Sequence, residues 1–128
     1  MKKRIQRIYV AGPLSPQGIN DFDLAIDYLT NVRNMIRIGI NVLLAGFTPF
    51  IPALDIIMLL SLRENEKISE SMIRQYSLNW LAVCDAVLLI PGWRYSIGTE
   101  KEMEYAKHLN IPIFESLEDI IKTQKEEK

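Results

Sequence analysis

One cysteine, Cys84, and one histidine, His108, occur in this chain of 128 residues. A lone cysteine cannot form an internal disulfide. Its place where a helix gives way to a strand reads as a small buried hydrophobe, which suits a reducing cytoplasm. The sequence offers no cluster of metal ligands, and neither a metal nor an organic cofactor is expected. Net charge is nearly absent too: a formal −1 supplies no electrostatic attraction for a nucleic acid polymer or an anionic membrane. Long apolar runs are missing. The most hydrophobic region, residues 38–54, is uncharged but is broken by Gly39, Gly46, Pro49 and Pro52, so no spanning helix is expected. The start, Met1-Lys-Lys-Arg, leads into a strand-like run and not into the apolar segment of a signal peptide. There is no internal repeat, linker or low-complexity segment. What is present, 48% apolar and 24% charged residues, suits one soluble domain over residues 1–128 that buries its core without cross-links.

Periodicity orders the chain as alternating strands and helices. Residues 5–11, with Ile8, Tyr9, Val10 and Ala11, read as a strand buried on both faces. A loop with two glycines and two prolines follows over residues 12–18. Asn20 is a suitable N-cap, with Asp23 as an approximate capping box. Phe22, Ala25, Ile26, Leu29, Val32 and Ile36 then recur at helical spacing, which predicts a helix over residues 21–37 ended by Gly39. Residues 40–45 read as a second strand, parallel to the first by the handedness of βαβ units. Pro49 and Pro52 predict irregular chain over residues 47–53. A short helix is expected over residues 54–62, either packed over the core or serving as a subunit interface, because Ile56, Ile57, Met58, Leu59 and Leu60 exceed one amphipathic face. A helix capped by Ser69 or Ser71 runs through Leu81, residues 85–90 form the third strand and residues 111–114 the fourth. Ser116 caps a last helix, and the charged tail over residues 122–128 is expected to fray. These elements predict a flavodoxin-like open parallel α/β sheet of four or five strands, order 2-1-3-4, with helices on both faces.

The stretch over residues 91–109 holds the chain's one local inconsistency. It is a loop between two apolar strands that opens into a helix at about Gly98. At about 100° per residue, Gly98, Glu102, Tyr105, Ala106 and Leu109 share one face, and Glu100, Lys101, Glu104, Lys107 and His108 the other. Glu102 therefore lies on the face that meets the sheet. It could pair there with Arg74 or Arg94 or lean out to water. The alternative is a chemical role, because an ionised carboxylate is favoured near a helix N-terminus and is a nucleophile at neutral pH. Attack of such a group on a sugar carbon opens a retaining glycosidic displacement.

Two loops, residues 12–18 and 91–99, follow the first and third strands, which are neighbours in the order 2-1-3-4. Both border the crevice where the strand order reverses. Each leads into a helix N-terminus whose free N–H groups favour an anion. Ser15 at one, and Ser96 with Gly98 at the other, can present a hydroxyl and an approachable amide. A turn is the plain reading of either loop alone; together with Glu102 they point to a ligand.

Tyr9-Val-Ala-Gly12-Pro13, and Cys84-Asp-Ala-Val-Leu-Leu-Ile-Pro-Gly-Trp93 leading to Ser96, Gly98 and Glu102, resemble the nucleoside 2-deoxyribosyltransferase family. The closer likeness is to its small relatives, the 2′-deoxynucleoside 5′-phosphate N-hydrolases, and to an uncharacterised bacterial and phage branch that shares Pro-Gly-Trp. The resemblance implies a covalent 2-deoxyribosyl ester on Glu102, transferred to a second base or to water. The family position six before that glutamate falls on Ser96. It is an aspartate where the substrate is a nucleoside, and a serine where it carries a 5′-phosphate. A carboxylate there repels a phosphate dianion and a hydroxyl does not, so Ser96 implies a nucleoside monophosphate, with Arg94 as added charge. Tyr9, Gly12, Pro13 and Ser15 would line the pocket. Trp93 would stack on a base or anchor its loop.

The likeness also implies an aspartate eight residues before Asp85, near the leaving base, and this chain has Ser77 there. Serine is not a general acid of suitable pKa. Asn79, another residue or water replaces it, or the domain binds a nucleotide without turnover. Asp85 itself reads as structural. The expectation is N-glycosidic cleavage or base exchange on a 2′-deoxynucleoside 5′-monophosphate, in a homodimer or higher homo-oligomer; the alternative is a non-catalytic nucleotide-binding domain.

Overall fold

A computed structural model describes residues 4–14 and 21–126, apart from the side chains of residues 21 and 56. Strand β1, Arg7–Ala11, lies at the centre of a parallel sheet. It pairs with β2, Thr48–Phe50, on one side and β3, Ala86–Leu89, on the other, and β3 pairs with β4, Ile113–Phe114. The order is β2-β1-β3-β4, the flavodoxin-like α/β arrangement expected from the sequence. Among the described residues, five α-helices complete it: α1, Asp21–Leu44; α2, Asp55–Leu60; α3, Glu70–Leu81; α4, Ile97–His108; and α5, Leu117–Glu126. Among the described residues, no helix is long and apolar enough to cross a membrane.

Strand alternation divides the core into two layers. Ile8, Val10, Ala86, Leu88 and Ile90 point to one face, where they meet Val32, Met35 and Val42 of α1 and Ile120 of α5. Tyr9, Ala11, Val87 and Leu89 point to the other, against Leu81 of α3 and Ala106 of α4. Every residue of β3 is buried, which is why its sequence is an apolar run and not an alternation. Asp85, just before β3, accepts the backbone N–H groups of Gln6 and Arg7 through Oδ2 at 2.9 and 2.8 Å. It joins the starts of the two central strands and stands at the far end of the sheet from the loops that follow β1 and β3.

The structure corrects the expected second strand. Residues 40–44 of the segment read as a strand continue helix α1 to its end at Leu44; the second strand is Thr48–Phe50, inside the stretch predicted to be irregular. Gly39 does not end the helix. It is a notch: a Cβ there would stand 2.2 Å from Ile51 Cδ1, so the missing side chain lets the chain after β2 pack onto the helix. The termination signal is Gly46, at φ +96°. Its N–H donates to the Leu43 carbonyl and that of Phe47 to the Val42 carbonyl, the paired bonds of a Schellman cap. Residues 122–126, expected to fray, belong to α5. The proposed Asn20 cap lies outside the described residues.

The other helix starts follow the sequence. Ser69, Ser96 and Ser116 accept the N–H groups of Met72, Thr99 and Asp119, each satisfying one orphan donor of a first turn. Cys84 is buried and donates its thiol to the Trp80 carbonyl at 3.3 Å; burial pushes that thiol up to about 11.

Candidate active site

A cleft of about 530 Å³ opens at the carboxyl end of the sheet, over the point where the strand order reverses between β1 and β3. The loop after β1 forms one wall with Gly12, Pro13 and Leu14. The N-terminal turn of α4 forms another with Ser96, Ile97, Gly98 and Thr99. Helix α3 contributes Arg74 and Ser77, and α2 contributes Asp55. Open α/β sheets bind ligands at this location because the helix N-termini and loops converge there.

Glu102 projects from the second turn of α4 into this cleft and accepts a hydrogen bond from the Tyr9 hydroxyl. Tyr9 reaches it because β1 alternation turns that ring to the α3–α4 face, where it stacks on Phe50 at 5.3 Å between ring centres. The electrostatics depart from the reading of the sequence. The helix N-terminus leads one to expect a readily ionised carboxylate, yet burial raises the Glu102 pKa to about 7, against the lowering effects of the Tyr9 hydroxyl and the Arg74 charge. Desolvation is the largest influence on this carboxyl. The Tyr9 hydroxyl is pushed upward by burial and then by the neighbouring Glu102 charge, and stays protonated. A carboxyl poised near neutrality beside a fixed donor can act as a nucleophile or exchange a proton at physiological pH.

Ser96 accepts two bonds, from the Thr99 backbone N–H at 3.2 Å and from Thr99 Oγ1 at 2.9 Å. That leaves its own hydroxyl proton for a ligand. The N–H groups of Ile97 and Gly98, in the first turn, lack intrahelical acceptors. A Cβ on Gly98 would meet only Ser96 Oγ, at 4.0 Å, so packing does not require glycine there, and its absent side chain opens the amide to the cleft.

Of the residues selected from sequence, Tyr9, Gly12, Pro13, Ser77, Ser96, Gly98 and Glu102 share this cleft. Ser15 lies outside the described residues. Trp93, Arg94 and Asn79 do not line the cleft. Trp93 packs into the core layer beneath α4. Arg94 lies over the Trp93 ring, 5.1 Å from its centre, and pairs with Glu115 at 3.7 Å. Asn79 is on the exposed side of α3 and accepts from Gln75. The positive charge comes instead from Arg74, paired with Glu70 at 3.4 Å, and from Lys101 at the rim. Asp55 carries no signal in the sequence that selects it. Its carboxyl pKa is raised by burial and lowered in part by the Ser77 hydroxyl, which also borders Tyr9.

Residues 6–115 match the model of a family described as a domain of unknown function (DUF4406). The chain belongs to the DUF4406 family. The matched span runs from just before β1 through β4 and so includes each wall of the cleft and Glu102. No curated protein matches the chain.

Proposed function

We propose that this DUF4406 chain cleaves or exchanges the N-glycosidic bond of a 2′-deoxynucleoside 5′-monophosphate. The observation that carries the reading is the Glu102 carboxyl in the cleft at the strand reversal, held by Tyr9 and near half-ionised at neutral pH. The Glu102 carboxylate attacks the sugar C1′, the base departs with the electron pair of the C1′–N bond, and the glycosyl ester passes to a second base or to water. Tyr9 fixes the attacking carboxylate.

The phosphate is placed at the start of α4, on the Ser96 hydroxyl and the Ile97 and Gly98 amides, with Lys101 and Arg74 adding charge. No anionic side chain occupies position 96, where one would repel a dianion. The partner class is thus a small-molecule nucleotide, and no metal or cofactor enters the scheme.

Self-association belongs to the same reading. Ile57 and Leu60 of α2 are 60% and 80% exposed. They extend an apolar surface from the segment that carries Asp55, and a second copy covering it would form a homodimer or higher homo-oligomer beside the cleft.

The test is incubation with the four 2′-deoxynucleoside 5′-monophosphates, with chromatographic detection of free base. Release by wild type and its loss in Glu102→Ala is the expected result. Undiminished release by Glu102→Ala would remove Glu102 from the mechanism. No release, with a raised melting temperature in the presence of these nucleotides, would make the cleft a binding site without turnover.

A further inference from the structure

We propose that Asp55 is the acid–base residue of the cleft, delivering the proton to the departing base from α2 where the sequence has serine at position 77. The assignment rests on the N-glycosidic reading above.

Three observations carry it. Asp55 begins α2 and lines the same cleft as Glu102, from a different wall. Ser77, which cannot itself act as the acid, stands between Asp55 and Tyr9, and its hydroxyl favours the charged form of each. Ser77 thus neighbours both Asp55 and the tyrosine that holds Glu102. Of the other ionisable groups facing the cleft, Arg74 and Glu70 engage each other, Lys101 carries an ammonium at the rim, Tyr95 is largely exposed, and the Tyr9 hydroxyl is held protonated against Glu102. Besides Glu102 and the ion-paired Glu70, Asp55 is the described carboxyl that lines the cleft, and it is only partly exposed. Its pKa is raised by burial, the direction that an acid donor requires.

The proton and electron balance is simple. As a Glu102 oxygen bonds to C1′, the C1′–N bond breaks and its electron pair stays on the base nitrogen, which takes the Asp55 proton. The Asp55 carboxylate then takes a proton from the water that attacks C1′. The C1′–O bond to Glu102 breaks, and Glu102 returns to its carboxylate with Asp55 protonated again. The first step requires Glu102 charged and Asp55 neutral, and the second step returns both groups to that state.

Two leaving groups separate this role from a structural one. A natural base needs protonation as it leaves, whereas 4-nitrophenolate does not. With the four 2′-deoxynucleoside 5′-monophosphates, Asp55→Asn is expected to lower kcat by roughly 10² to 10⁴, the range for loss of a general acid, and Asp55→Glu is expected to recover part of it. With 4-nitrophenyl 2-deoxyribose 5-phosphate, Asp55→Asn should retain the rate of the first step while Glu102→Ala loses it. Equal loss on both substrates, or no loss on the natural ones, would overturn the assignment and leave the N-glycosidic reading standing. Wild type inactive on all five compounds would overturn that reading, and the assignment with it.

Discussion

Removing the Tyr9 hydroxyl isolates one of the forces acting on Glu102. Tyr9→Phe keeps the ring stacked on Phe50 but deletes the donor that favours the carboxylate. The Glu102 pKa should therefore rise above about 7, and the acid side of the kcat/KM profile should move to higher pH. A profile that does not move would show that the hydrogen bond does not set the ionisation. Stability gives a second handle on the same residue. Glu102 binds its proton more tightly folded, at about 7, than unfolded, at 4.5. Between those values the folded chain holds more protons, so this residue makes stability fall as pH rises from about 5 to about 7. Glu102→Gln, neutral at every pH, should be the more stable protein at pH 8, by at most about 3.5 kcal/mol at about 1.4 kcal/mol per pKa unit. At pH 4 the gap should close. Melting temperatures at the two pH values check this, and a mutant no more stable at pH 8 would refute it. The excess would measure what the fold gives up to keep a carboxyl in the cleft.

At the scale of elements, glycine had two readings, and local pattern selects between them poorly. Gly39 follows an apolar helical stretch and looks like a terminator, whereas its role is set by Ile51, which is twelve residues later in the chain. Gly46 is the residue in the left-handed region. Isoleucine, valine and leucine after Gly39 suit a buried helix as well as a strand, so the period alone cannot separate them. Substitution distinguishes the two roles. Helix propensity predicts that Gly39→Ala gains about 1 kcal/mol, whereas overpacking against Ile51 predicts a loss of about 1 kcal/mol or more. Urea denaturation should find the loss, and Ile51→Val in the same chain should reduce it. By contrast, β1, β3 and the serine caps of α3 and α5 were legible, because two-sided burial and N-capping leave local signatures; Ser96 was read as a ligand-facing hydroxyl and proves also to cap α4. Glu102, Ser96 and Gly98 were legible for a related reason: a helix face and a helix start locate them without knowledge of the rest of the fold. Asp55 and Lys101 were not, and Arg74 was legible only as one possible partner of Glu102, whose charge does act on that carboxyl. Asp55 sits at the head of an apolar segment whose hydrophobicity points to an interface. The cleft joins it to Glu102 across 47 positions of sequence. Lys101 is assigned to the outer face by helical geometry, and it is indeed exposed while also bordering the cleft.

For the whole molecule, the proposed assembly makes a prediction of its own. Leu60→Glu places a charge on the most exposed apolar position among the described side chains of α2 and should shift the protein to monomer in size-exclusion chromatography with light scattering. A wild-type monomer at micromolar concentration would remove the assembly. The edge of the sheet limits which assemblies are open to this chain. Thr48 turns its N–H inward to the Gln6 carbonyl, so in β2 the next residue, Pro49, faces outward at the position where an added strand would need a donor. An edge without that donor cannot template a continuous ladder. Copies of this chain that meet on the β2 side must therefore do so through side chains, and the sheet does not extend across that edge into a neighbour's.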